Sequence, residues 1–288
     1  MDFNSVGELL SRGAGLFAKG PVALIFVEDP VEIASTLDHH HRLGFAAVIA
    51  FAPDGIARQA GERPTHWVRH DTHARGAVTA AVNAVIAAAP PATWLYYCYN
   101  AEYLFYPFAE SRSVRELLAF HAEERRDAML TYVIDLYAPD LGRWPNAVCL
   151  EEAMLDRSGY YALGRNDPAT GQPKERQLDF FGGLRWRFEE HIPKERRKID
   201  RIALFRPQRG LRLREDHTFT IEEYNTYACP WHHNLTAAIA SFRTAKALRT
   251  NPGSRHDIHG FTWHNSVRFE WHSQQLMDLG LMEPGQWF

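Results

Sequence analysis

Apolar runs alternate with amphipathic stretches through the first half of the chain. Val22 to Val27 is continuously apolar, as expected of a strand buried on both faces. Ala46 to Phe51 repeats that pattern. Between them Ile33, Leu37 and His41 recur on one helical face. Asp29 is placed to cap this helix, Pro30 to open it, Glu32 to complete a capping box, and Gly44 to end it. The result is a βαβ unit, whose crossover is right-handed. Pro53-Asp54-Gly55 closes the second strand, residues 53–65 read as a polar loop, and His66–Arg69 is a short third strand toward an edge.

Ala77, Val78, Ala81, Val82, Val85 and Ile86 predict a second helix, stopped by Pro90-Pro91. Trp94 to Tyr99 is an aromatic, strand-like run that changes character at Asn100-Ala101-Glu102 and ends at Pro107. Ser113 and Glu116 form a capping box ahead of a helix with Val114, Leu117, Leu118 and His121 on its buried stripe. Ala128 to Tyr137 is a fifth strand. This alternation predicts an α/β fold, a doubly wound and mostly parallel sheet flanked by helices.

The second half is less regular and predicts an α+β extension. Gly164 to Gln177 is polar and rich in turn formers, so residues 164–177 read as a mobile loop. Leu235, Ala238, Ile239, Phe242 and Leu248 outline a helix ending before Asn251, and a last helix is expected between Ser266 and Leu281. The expected organisation is an arm over 1–20, a Rossmann-like half over 21–140 and a second half over 141–288.

Composition narrows the function. The 288 residues carry a formal net charge of −3 with both signs interspersed, which argues against a general nucleic-acid binder. No run approaches the roughly 18 apolar residues of a membrane span. Residues 1–20 lack a secretory layout, and Cys98, Cys149 and Cys229 are too scattered for a disulfide frame, so a cytoplasmic protein is expected. His39-His40-His41 cannot converge on one ion, because successive helical side chains point about 100° apart. His256, His259 and His264 lie in a polar stretch that is not read as a zinc site.

In open α/β sheets ligands gather beyond the carboxyl ends of the strands. That rule singles out Glu102, with Asn100, after the fourth strand. Asp135, Asp140, Glu151 and Glu152 follow the fifth strand and are candidate bases.

Several features together resemble glycosyltransferase family 2, in its bacterial nucleotide-sugar branch. They are Val22 to Asp29, the His40-His41-x-Leu43-Gly44-Phe45 join, and Asn83. The strand running into Asn100-Ala101-Glu102-Tyr103-Leu104-Phe105-Tyr106-Pro107 also matches, as do Phe181-Gly182-Gly183-Leu184-Arg185, Gly210 to His217, and His232 to Arg243. The resemblance covers most of residues 20–250. It implies a GT-A fold and transfer of a sugar, with inversion, from a nucleotide-diphosphate donor to a glycan acceptor, as in polysaccharide biosynthesis. Val27, Glu28, Asp54 and Asn100 would then contact the nucleotide. Arg185, Arg187, His217 and His233 would meet the diphosphate. Glu102, Glu151 and Glu152 would serve as catalytic acids or bases.

The family's two metal-binding aspartates fall on Tyr99 and Ala101, so only Glu102 remains, with His217, to hold a magnesium or manganese ion. Arginines could instead neutralise the diphosphate. A relative that binds sugar nucleotides or glycans without catalysis is the alternative.

Overall fold

The computed structural model describes residues 1–59, 61–226 and 234–287. In chain order its elements are β1 (Asp2–Phe3), α1 (Val6–Arg12), β2 (Val22–Phe26), α2 (Ile33–Arg42), β3 (Ala47–Ala52), β4 (His66–Arg69), α3 (Ala77–Ala88), β5 (Leu95–Tyr99), β6 (Glu102–Phe105), α4 (Val114–Glu123) and β7 (Ala128–Tyr137). Then follow β8 (Met154–Asp156), β9 (Tyr161–Asn166), β10 (Pro173–Phe181), α5 (Leu184–Arg187), β11 (Asp200–Phe205), β12 (Ala237–Ser241), α6 (Arg243–Thr250), β13 (Ser266–Arg268) and α7 (Ser273–Asp278). The chain is α/β: eleven of these strands form mixed, mostly parallel sheet flanked by helices. It divides into two compact units. The first comprises Met1–Tyr103, Ser111–Leu130 and Ile202–Asn225; the second comprises Leu104–Glu110, Thr131–Arg201 and Thr226–Phe288.

In the first unit the strands run in the order β1-β4-β3-β2-β5-β11. All neighbours are parallel except β5 and β11. The two apolar runs seen in the sequence are β2 and β3, buried at every position, as both-face burial requires. Successive side chains of β5 point to opposite faces. Tyr96 stacks on His40 of α2 at 5.2 Å, while Tyr97 stacks on His217 at 5.9 Å. Residues 1–20 include β1, which lies beside β4, and bury Leu9 and Phe17 in this unit's core.

Two local expectations are corrected here. First, α2 begins at Ile33, three residues later than Pro30 suggested, with Glu32 in left-handed backbone and no side-chain cap. Second, Asp29 closes a turn instead, accepting the Val31 N–H at 2.9 Å. The aromatic run forms β5 and turns at Asn100 and Ala101 as read, and β6 follows. The capping box at Ser113 and Glu116 is also present as expected.

The second unit is built on β7, which pairs in parallel with β12 from Ala237↔Thr131 to Ser241↔Asp135. The stretch from Leu235 to Leu248, expected to be one helix, is therefore the buried strand β12 followed by α6. Residues 164–177 are not an irregular loop. They belong to an antiparallel ribbon, β9 with β10, in which Arg165 bonds Asp179 and Asp200 at 2.7 Å each. The expected last helix is the strand β13, paired with β8, and the short α7. Tyr137, Leu141, Leu184, Ala245, Leu248, Ile258 and Phe261 form this unit's core.

Candidate functional site

In the first unit, four of the residues picked from the sequence gather at the carboxyl ends of β2 and β5. Asn100 is fully buried. Its Oδ1 accepts the Glu28 N–H at 2.8 Å. Its Nδ2 donates to the Asp29 carbonyl at 3.1 Å, to Asp29 Oδ1 at 2.8 Å and to the Val31 carbonyl at 2.8 Å. One amide thus fastens the whole loop that follows β2. Val27 is buried too, and its carbonyl accepts from the Thr72 hydroxyl at 2.6 Å.

Glu102 is buried at the first position of β6, and its Oε2 accepts the Tyr99 N–H at 3.0 Å. Between them Ala101 sits at φ 60°, with its N–H donated to Thr36 Oγ1 at 2.8 Å. The turn is therefore built from inside, by Thr36 and Glu102. Beneath it, burial and then the His39 ring press the His40 pKa down to about 3, so this imidazole is neutral. Asp54 is exposed on the loop after β3 and pairs with Arg69.

His217, at φ 63°, faces Tyr97, its Nδ1 3.0 Å from the phenol oxygen. Asn83 of α3 holds the segment ahead of it: its Oδ1 accepts the Leu213 N–H at 2.7 Å and its Nδ2 donates to the Leu213 carbonyl at 3.0 Å.

A divalent cation does not fit the 99–102 turn as built. Tyr99 and Ala101 bring no carboxylate, and the one acid present caps a backbone N–H. Among the described residues no group of three or more His, Cys, Asp or Glu side chains is arranged to hold a metal ion.

In the second unit the picked residues separate into exposed acids and inward-turned bases. Glu151 is exposed, and Glu152 pairs with Arg143 at 3.1 Å. Asp140 accepts the Gly142 N–H and so belongs to a turn. Arg187 is bound to Asp156 at 3.1 Å, donates to the Phe261 carbonyl and lies 4.5 Å from the centre of the Trp263 ring. Arg185 donates to the Lys198 carbonyl and to Thr244 Oγ1. These two guanidiniums, expected to meet a diphosphate, are engaged within the unit. His233 lies outside the described residues.

The acid that stands apart is Asp135, at the carboxyl end of β7. It is 1% exposed, and its Oδ1 has no hydrogen-bond partner. The nearest cation is Arg185 Nε at 3.6 Å. Burial pushes the Asp135 pKa up, against the pull of Arg185. Tyr160, which the sequence did not single out, is the companion of Asp135. Its phenol oxygen is likewise buried without a partner, and its pKa is raised by burial and by the charges of Asp156 and Asp135.

Two glycines make this approach possible. A Cβ on Gly182 would lie 2.2 Å from the Tyr160 ring, and one on Gly183 would lie 3.0 Å from Asp135 Oδ2. The Gly182-Gly183 pair, conspicuous beside Phe180-Phe181, was the available sequence signal for this cluster. Nothing in the sequence singled out Asp156, which closes β8 and accepts from Tyr137, Trp263 and Arg187.

No protein-family model matches the chain, and no curated protein sequence matches it. Among the described residues no helix is long and apolar enough to cross a membrane.

Proposed function

We propose that the protein is a glycosyltransferase of GT-A type that moves a sugar from a nucleotide-diphosphate donor to a glycan acceptor. The observation that carries this reading is the rim of the first unit. There Glu28 and Asp29 after β2, Asp54 after β3 and the turn after β5 stand at the carboxyl ends of strands that are parallel neighbours, the position where such sheets bind nucleotides. The left-handed backbone at Ala101 adds support, because aspartate and asparagine adopt it more readily than alanine does. An ancestral aspartate fits that position.

The chemistry then proceeds without a cation at this turn. The donor's base and ribose are then held by rim backbone and acids. Within the second unit, the carboxylate best suited to proton transfer is Asp135. Burial raises its pKa toward the working range of a general base, whereas Glu151 and Glu152 sit in open solvent or on Arg143. The carboxylate is enclosed as it stands, so a hydroxyl reaches it only after local opening.

One observation favours a second reading, a sugar-nucleotide-binding protein without transfer: Glu102 is turned back onto the Tyr99 N–H. Titration calorimetry with a series of sugar nucleotides, in EDTA and in manganese, tests both. Binding that is equal in the two buffers is expected. No binding in either rejects both readings, and binding without donor hydrolysis or transfer selects the second.

A further inference from the structure

Apart from Met1, the large apolar side chains left exposed among the described residues are Tyr161, Leu163 and Trp186, at 44%, 55% and 41%. All three belong to the second unit. They do not stand alone. Tyr161 stacks on Phe181 across the β9–β10 ribbon at 5.3 Å, with ring planes 19° apart. Trp186 lies beside Gly159, where a Cβ would come within 3.1 Å of its ring, two residues before Tyr161. Trp186 continues to Trp263 at 6.5 Å, and Trp263 to the exposed His264 at 4.6 Å. The result is two aromatic groups, the Tyr161–Phe181 stack and Trp186 with Trp263 and His264, joined through the segment from Gly159 to Tyr161.

We propose that these two aromatic groups together form a binding surface for a neutral oligosaccharide. A pyranose ring presents C–H groups on its faces and hydroxyls on its edge. The C–H faces suit the electron-rich faces of Tyr and Trp. The hydroxyls meet the polar groups that border these rings, His264, Asn265 and Arg157, the last donating to Asn265 Oδ1 at 3.4 Å.

The cation beneath Trp263, Arg187, is neutralised by Asp156 and is not offered to an anionic ligand; the exposed Arg157 stands at the border as a donor for sugar hydroxyls. Size argues against a protein partner: three exposed side chains fall far short of the roughly 20–30 residues a side of a stable protein interface. The choice of a saccharide as occupant rests on the transferase reading, whose acceptor it would be.

The test uses the full chain, with maltohexaose, cellohexaose, chitohexaose and mannohexaose as probes. Binding is followed by saturation-transfer NMR and by tryptophan fluorescence, and sugar-nucleotide binding is measured on the same preparations. The expected result is that at least one probe binds and that Tyr161→Ala with Trp186→Ala weakens it at least tenfold. Trp186→Phe should retain most of the affinity, and thermal unfolding and sugar-nucleotide binding should be unchanged. Sugar-nucleotide binding with no probe bound overturns this inference and leaves the donor reading standing. Neither ligand bound overturns both. Probe binding that is unaffected by the double substitution, or a double substitution that converts a dimer to a monomer, also overturns the surface assigned here.

Discussion

Two buried polar groups at strand carboxyl ends, one in each unit, have opposite fates. Asn100 in the first unit uses its side chain in four hydrogen bonds to the loop after β2. Asp135 in the second is equally buried, yet one of its oxygens makes none, and the nearby Tyr160 phenol makes none either. A buried polar group whose bonds are complete holds structure. One left incomplete costs stability, about 1–3 kcal/mol for a neutral group and more for a charge, and is the better candidate for chemistry. Position at a strand end marks both residues equally; only the state of their hydrogen bonds separates them.

The sharpest way to break that contrast is Asp135→Asn. The shape is kept and the base is lost, so transfer should fall about 10²–10⁴-fold with donor binding intact. Stability should hardly change or should rise, because a poorly solvated charge is removed. A pH series of stability tests the raised pKa itself, whatever the role of the carboxylate. Burial raises the Asp135 pKa, so the folded state holds this proton more tightly than the unfolded chain. Its contribution to stability therefore declines as pH rises above the unfolded carboxylate range, and the Asn variant should lack that slope. A loss of several kcal/mol in urea unfolding, with activity retained, would reverse the assignment.

Asn100→Ala is the complementary change. It strands the Glu28 N–H and the Asp29 and Val31 carbonyls, so unfolding should become easier by about 2–4 kcal/mol. Donor affinity should fall with it, since the loop bearing Glu28 and Asp29 loses its fastening. Retained stability would show that water replaces the amide and that Asn100 is free to serve a ligand.

Much of the first unit was legible in the chain. Runs such as Val22 to Val27 leave little choice but a buried strand, and helices with a clean apolar stripe sit between them. What went astray depended on distant partners. Asp29 reads as a helix cap until Asn100 captures it, and α2 then starts later. Ala237 to Ser241 is a short apolar run whose period fits helix or strand, and pairing with β7 decides it. Residues 164–177 look like a loop because they are mostly polar and exposed, whereas pairing of β9 with β10, with Arg165 held by Asp179 and Asp200, makes them a ribbon. The site divides in the same way. Asp135 was visible as one of four acids after a strand, but the groups that set it apart, Tyr160, Gly183 and Arg185, come from other segments.

The smallest expected effect, and the most discriminating for the cation, belongs to Glu102→Gln. The carboxylate accepts the Tyr99 N–H. An amide oxygen can accept it equally, so the turn should survive at a cost of about 1 kcal/mol or less. If the acid only builds the turn, transfer and donor affinity should stay within about threefold, with or without manganese, since the general-base factor of about 10²–10⁴ is not at stake. If it holds a metal, the same substitution removes the last carboxylate of the motif, and any manganese-dependent part of donor binding should disappear. Calorimetry of the variant in EDTA and in manganese separates the two outcomes, because the fold is expected to be the same in both.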